Sequence, residues 1–133
     1  MPYIWITVPD PNAAPPIGDV DAGGTLINAR GGWSRPPGTV AAVSVVGIVV
    51  DDADTVPARP MAGVQPAIVP PLQALGNAGT WSFPPGTFGV QDGEYYKLAV
   101  WLDVEDSGCY FLAAPVVFLA RNVARAPARA APA

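Results

Sequence analysis

The hydrophobic and polar positions of this chain form short strand-like runs separated by turns rich in proline, glycine and aspartate. Apolar, β-branched and aromatic runs bounded by such turns are typical of β-strands, and about seven are predicted. One of them is an edge strand within residues 55–77, which are otherwise read as a proline-rich connection. The six clearest predicted strands cover residues 3–8, 25–29, 40–50, 81–83, 95–104 and 110–119.

The two longest runs, 95–104 and 110–119, are apolar on both faces, and so is the run over 40–50. A strand on the surface of a domain alternates apolar and polar residues, because one face meets water. The lack of alternation indicates that something covers the second face of these strands. Association with another protein is therefore the function that the pattern favours.

The length of 133 residues allows one domain with a single core. Seventeen prolines disfavour long helices and central strands, which favours an all-β domain with proline-rich connections. We predict a two-sheet sandwich over residues 1–122 that contains the 55–77 connection. Residues 123–133, made mostly of Ala, Arg and Pro, form a predicted extended C-terminal arm.

A motif near residue 95 carries a resemblance. Asp92-Gly93-Glu94 followed by Tyr95-Tyr96 resembles the start of strand F in immunoglobulin-like domains, where a tyrosine hydrogen-bonds back to the chain. The loop over 103–108 is similar to the F–G hairpin of bacterial and phage immunoglobulin-like modules. The resemblance is best over residues 78–120, and it departs from antibody domains because both of their cysteines are missing.

The resemblance implies an immunoglobulin-like β-sandwich in which Tyr96 makes the hydrogen bond back to the chain. Leu98 then stands where antibody domains have a cysteine, and it begins a row of inward residues at every second position. The resemblance also implies that the strands over 40–50, 95–104 and 110–119 lie side by side in one sheet. The outer face of that sheet would be a larger apolar patch than monomers usually expose.

This outer face is the predicted contact surface, because aromatic residues are enriched in interface cores with charges at the rim. The alternative is that the 55–77 connection of the same chain covers part of the face. The predicted interface residues are Tyr95, Lys97, Trp101, Val46, Ile48, Phe118, Arg121, Arg125 and Arg129.

The charges are unevenly distributed along the chain. All eleven acidic residues precede Arg121, and three of the seven basic residues lie in the last thirteen positions. We expect the basic arm to dock on the acidic surface of a neighbouring subunit. The net charge of −4 argues against nucleic acid as a partner, since phosphate contacts need a basic patch.

The residues needed for catalysis are scarce. The chain has no histidine and a single cysteine, Cys109, for which we predict burial as a small hydrophobe. We therefore predict a protein that is not an enzyme and that needs no cofactor or metal. Calcium bound where acidic loops meet stays an open alternative. The three acidic groups are Asp19 with Asp21, Asp51 with Asp52 and Asp54, and Asp103 with Glu105 and Asp106.

Two related segments, Trp33–Val40 and Trp81–Phe88, share the pattern Trp-Ser-x-Pro-Pro-Gly-Thr. Pro-Gly suits the central positions of a type II turn. We interpret the pair as the same turn-forming sequence occurring at two strand ends, with each tryptophan covering the core. The alternative is a ligand-binding module in which Trp33, Trp81, Tyr95 and Trp101 stack on sugar.

No apolar run is long enough to span a membrane, and the N-terminus lacks the basic and apolar segments of a signal peptide. We expect cytoplasmic synthesis followed by incorporation into a virion or another extracellular assembly. The predicted function is that of a non-enzymatic structural protein, most specifically a phage or virus-particle accessory subunit that decorates a capsid. A subunit of an extracellular filament or surface layer is a related alternative.

Overall fold

The computed structural model describes residues 2–37, 41–104 and 109–123, which form two packed β-sheets and one short helix, α1 (Pro71–Ala74). The all-β sandwich architecture is therefore confirmed, and its immunoglobulin-like character stays a prediction. The strands are β1 (Tyr3–Val8), β2 (Ile17–Val20), β3 (Arg30–Ser34), β4 (Val43–Asp51), β5 (Gln65–Pro66), β6 (Ala78–Ser82), β7 (Tyr95–Val104), β8 (Cys109–Leu112) and β9 (Val116–Asn122).

The larger sheet has the order β2-β9-β7-β4-β5, and the smaller one has the order β1-β3-β6. Strand β7 lies at the centre of the larger sheet and pairs with β4 along nearly its whole length. On its other side, β9 pairs with the first half of β7 and β8 with the second half. The predicted neighbours 40–50, 95–104 and 110–119 therefore do lie side by side.

The predicted single strand over 110–119 is wrong, because the chain divides it into β8 and β9. Ala113 still donates its N–H to the Val100 carbonyl oxygen at 3.0 Å, and its side chain is buried. Pro115 has no N–H with which to continue the ladder. The chain therefore leaves the ladder after Ala113 and re-enters it at Val116.

The predicted strand over 25–29 is also wrong, and β2 and β3 were not predicted. Residues 25 and 26 make only isolated bridges, and Asn28 has a φ of 65°, which ends any extended run. Strand β3 contains Gly31 and Gly32, and glycine is depleted in strands, so the pattern concealed it. Strand β2 was concealed in the same way by Gly18.

The inward side chains of both sheets form one core. Leu98, Val100 and Leu102 of β7 are 0% exposed, so the predicted row of inward residues is confirmed. Trp33 and Trp81 enter the same core from the smaller sheet, and Trp81 Nε1 donates to the Gly32 carbonyl oxygen at 3.2 Å. The prediction that both repeated tryptophans serve the core is thus confirmed.

A tyrosine link is present where the sequence placed one. The hydroxyl oxygen of Tyr96 accepts a hydrogen bond of 2.7 Å from the Gln91 N–H, across the turn that contains Gly93. Gly93 has a φ of 90°, which favours glycine, and it donates its N–H to the Ala120 carbonyl oxygen at 2.8 Å. The Tyr96 bond ties the turn to the start of β7, and the Gly93 bond ties the same turn to β9.

The segment after β5 crosses from one sheet to the other. Ala67 donates its N–H to the Val45 carbonyl oxygen in the larger sheet at 2.8 Å. The next residue, Ile68, exchanges two backbone hydrogen bonds with Ser82 of β6, at 2.7 and 3.0 Å. The proline-rich connection therefore closes one side of the sandwich and adds Ile68 to the edge of the smaller sheet.

Candidate functional site

A loop of the same chain, which we call the covering loop (residues 52–64), lies on the outer face of the larger sheet. Trp101 points outward from β7, and its Nε1 donates to the Pro57 carbonyl oxygen at 3.2 Å. The Lys97 ammonium donates to the Asp54 carbonyl oxygen. Two outward side chains of β7 therefore hold the backbone of the first half of this loop.

The second half of the covering loop crosses to β8 and returns to β4. The Arg59 guanidinium lies 5.8 Å from the centre of the Tyr110 ring, which is a cation–π contact. Gly63 lies beside Ile48, since a Cβ added at Gly63 would be in van der Waals contact with Ile48 Cδ1, at 3.7 Å. The alternative in which this connection covers part of the face is thus what the fold adopts.

Two of the predicted contact residues are not on the surface, so their assignment to an exposed patch is wrong. Trp101 is 0% exposed because the covering loop lies on it. Phe118 is also 0% exposed, since it faces the core opposite Tyr96 and its ring fills the space beside Gly18. Neither side chain can touch another subunit while the fold is intact.

The covering loop leaves part of the outer face open. This part, which we call the open strip, consists of Ile17, Tyr95, Val117 and Leu119 on β2, β7 and β9. Leu119 lies directly opposite both Tyr95 and Ile17, which makes the strip continuous across three strands. Tyr95 is 46% exposed and Val117 is 39% exposed, whereas Ile17 and Leu119 are half-buried.

The remaining predicted contact residues lie around the open strip or away from it. Lys97 is directly opposite Val117, and Arg121 is opposite Asp19, so both border the strip. Val46 and Ile48 are half-buried on β4, on the side of β7 that the covering loop crosses. Two further arginines of the arm, Arg125 and Arg129, are outside the described residues.

The outer face of the smaller sheet carries a pair of exposed aromatic residues that the sequence interpretation missed. Tyr3 is 61% exposed and Trp5 is 37% exposed, and their ring centres are 5.6 Å apart with an interplanar angle of 30°. The six-membered ring of Trp5 occupies the space that a side chain at Gly32 would need. We call this pair the aromatic shelf. The alternation of outward Tyr3 and Trp5 with buried Ile4 and Ile6 is the signal that could have revealed it.

A depression of about 320 Å³ adjoins the aromatic shelf. Its lining combines three hydroxyl side chains, one guanidinium, a glycine backbone and part of a tryptophan. The hydroxyls and the guanidinium project from neighbouring positions of β1, β3 and β6, where Arg30 is directly opposite Ser82. The lining residues are Thr7, Arg30, Gly31, Thr80, Trp81 and Ser82.

The sugar-stacking alternative, as placed by the sequence, is wrong for three of its four residues. Trp33 and Trp101 are 0% exposed and Trp81 is 1% exposed, so none of them offers a free stacking surface. Tyr95 is the remaining member, and it lies on the open strip. Aromatic rings that can stack on a ligand are found instead on the opposite sheet.

One residue of the three acidic groups, Asp21, has a structural role in a turn. Asp21 accepts hydrogen bonds from the Thr25 N–H at 3.0 Å and the Thr25 hydroxyl at 2.8 Å, and these bonds hold the pKa of its carboxyl below the usual value. The described part of the chain contains no cluster of three or more acidic, cysteine or histidine side chains suited to a metal. Glu105 and Asp106 lie outside the described residues. Cys109 is exposed, so its predicted burial is wrong.

Within the described residues, no helix has the length and apolar character that crossing a membrane requires. Comparison with protein families, with curated proteins and with solved structures finds no match to this chain.

Proposed function

We propose that this chain is a non-enzymatic structural protein whose copies associate through the open strip. The observation that carries the proposal is a continuous apolar row on the outer face of the larger sheet. Tyr95, Leu119 and Ile17 are neighbours across β7, β9 and β2, and Val117 lies beside them on β9. A face that meets only water carries polar residues at these positions. Burying the exposed parts of Tyr95 and Val117 against another apolar surface is favourable in proportion to the area removed from water.

A second copy of the same chain fits the strip in charge as well as in polarity. The rim carries both a cation, Arg121, and an anion, Asp19, at directly opposite positions of β9 and β2. In a two-fold contact the same surface is used by both subunits. Each copy then offers an arginine and an aspartate to its partner, so the contact is electrostatically self-complementary.

Within this class, we assign the chain to the accessory subunits of phage or virus particles, such as those that decorate a capsid. This step rests on analogy between the β-sandwich and immunoglobulin-like phage modules, together with the apolar contact surface. The implied partners are proteins, either further copies or a capsid protein. The implied location is the assembled particle.

The substitution Val117→Glu tests the position of the contact. Glutamate at this position places a charge within the strip, and Lys97 directly opposite supports that charge in the folded subunit. We expect the fold to persist and the dissociation constant of self-association to rise about tenfold or more, which corresponds to about 1.4 kcal/mol. Sedimentation velocity over a range of concentrations measures this change.

Leu72→Glu is the matched control, because Leu72 is 91% exposed on α1 and lies outside the strip. This variant is expected to associate as the unsubstituted chain does. If the two glutamate variants associate equally well, the open strip is not the contact.

A further inference from the structure

The aromatic shelf and the depression beside it lie on one open face of the smaller sheet, away from the open strip. Trp5 and Thr7 are both exposed and two residues apart in β1, where a β-bulge interrupts the pairing with β3, so the shelf and the hydroxyl-lined depression are neighbours. We propose that this face binds an acidic sugar, with its ring on the shelf and its carboxylate at Arg30. This assignment is independent of self-association.

The shelf fits one side of a pyranose ring. An aromatic ring has a negative face, whereas one side of a pyranose presents C–H groups of slight positive charge, so the two attract and also exclude water. Trp5 and Tyr3 are held in place on β1, and Gly32 leaves room for the Trp5 ring against the sheet. The shelf is therefore formed before a ligand arrives, which lowers the cost of ordering it.

The depression fits the polar groups of a sugar. The hydroxyls of Thr7 and Ser82 can each donate and accept a hydrogen bond, as the hydroxyls of a sugar also do, and the hydroxyl of Thr80 can accept one. Thr80 is already oriented, because its hydroxyl donates to Gln73 Oε1 at 3.0 Å. A volume of about 320 Å³ is at the small end of the range for ligand pockets, which suits the polar groups of a sugar whose ring lies on the shelf.

Arg30 points to an acidic rather than a neutral sugar. Its exposed guanidinium is the one cation among the six lining residues, and none of the six is acidic. A guanidinium binds a carboxylate through two parallel N–H···O bonds, which a hydroxyl cannot reproduce. A nucleic-acid strand is less well matched, because the chain carries a net charge of −4 and phosphate contacts need a basic patch.

The experiment is an NMR titration of the ¹⁵N-labelled full chain with trigalacturonate, and in parallel with the neutral trisaccharide maltotriose. We expect trigalacturonate to shift the Trp5 indole N–H and the backbone amides of Thr7, Gly31 and Thr80. Maltotriose should bind at least about tenfold more weakly, which is about 1.4 kcal/mol. The amides of the open strip should not move.

Two variants separate the parts of the site. Trp5→Ala should lower the affinity for trigalacturonate about tenfold or more. Arg30→Gln, at an exposed position, should remove the preference for the acidic sugar. The amide resonances of residues away from the substitution should stay unchanged, which shows that the fold is intact. Tyr95→Ala on the opposite sheet is the control and should bind as the unsubstituted chain does.

Several results would overturn the assignment. These are the absence of shifts on the smaller sheet with trigalacturonate, equal affinity for both trisaccharides, or tighter binding of a thymidine hexanucleotide than of trigalacturonate. None of these results depends on whether the chain associates with itself. Failure of the sugar site and failure of the proposed function are thus distinguishable.

Discussion

Trp101→Ala is expected to lower the free energy of unfolding by about 3–5 kcal/mol, the usual cost of removing a fully buried tryptophan side chain. The Trp101 ring is 0% exposed between β7 and the covering loop, and its Nε1 holds the Pro57 carbonyl oxygen. Alanine would leave a cavity under the loop and remove this hydrogen bond. Urea unfolding followed by far-ultraviolet circular dichroism measures the loss without depending on tryptophan fluorescence.

Trp5→Ala is the control, since Trp5 is 37% exposed and should cost less stability. Loosening the loop should also uncover Val46 and Ile48, so the Trp101 variant is expected to bind more of a hydrophobic dye in its folded state. Equal losses of stability for the two variants would show that the covering loop does not pack on Trp101.

The second large effect is expected at Gly31. A Cβ added there would lie 2.0 Å from the Trp5 carbonyl oxygen and 2.5 Å from the Trp81 ring. Because one of these atoms belongs to the backbone of the paired strand, a change of side-chain rotamer cannot relieve the clash. Gly31→Ala should therefore cost about 3 kcal/mol or more, at the upper end of overpacking effects. Thermal and urea unfolding measure this loss.

Gly89→Ala is a suitable comparison for Gly31→Ala. The nearest atom to a Cβ at Gly89 is the Gly24 carbonyl oxygen, at 4.0 Å, so the added methyl group meets no obstacle. This variant should lose little stability or gain some, because alanine restricts the unfolded chain. If Gly31→Ala is no more harmful than Gly89→Ala, β1 and β3 do not approach as closely as described.

The sequence was informative about β7, whose side chains point alternately into the core and toward the outer face that the covering loop partly covers. The scarcity of polar residues from Tyr95 to Val104, where only Lys97 and Asp103 are charged, correctly indicated that part of the outer face is covered. It could not show what covers that face, because burial by a loop and burial by a subunit require the same side chains. The covering loop contains two prolines and no regular period, so no pattern linked it to Trp101.

Glycine explains several of the other differences between prediction and structure. Gly31 and Gly32 made β3 resemble a turn, although they are required there by the Trp5 and Trp81 rings. Gly18 concealed β2 in the same way, because its missing side chain makes room for Phe118. Close packing of large rings on glycine depends on residues distant in the sequence, so a local pattern cannot reveal it.

Only some residues of the candidate sites could be predicted from the sequence. Tyr95, Lys97 and Arg121 were placed on or beside the surface that stays open, whereas Trp101 and Phe118 were placed there wrongly. Trp101 was misplaced because its cover comes from residues more than forty positions earlier in the chain. The aromatic shelf of Tyr3 and Trp5 was missed because a short first strand gives few positions from which to judge its outer face.

The two outer faces of the sandwich thus have different chemistry. One is largely apolar and partly closed by the covering loop, and the open strip is the part that stays exposed. The other is open, with an aromatic shelf beside hydroxyls and one arginine. A protein that assembles through the first face keeps the second one available for a ligand.

Hydroxyl-radical labelling with mass spectrometry, performed over a range of protein concentrations, tests most directly whether copies meet at the open strip. Tyr95 at 46% exposure and Tyr3 at 61% exposure report on the two faces within one sample. If copies join through the open strip, oxidation of Tyr95 falls as the concentration rises, while oxidation of Tyr3 stays constant. Oxidation of Tyr95 that does not change with concentration, or that falls only together with Tyr3, would contradict the account.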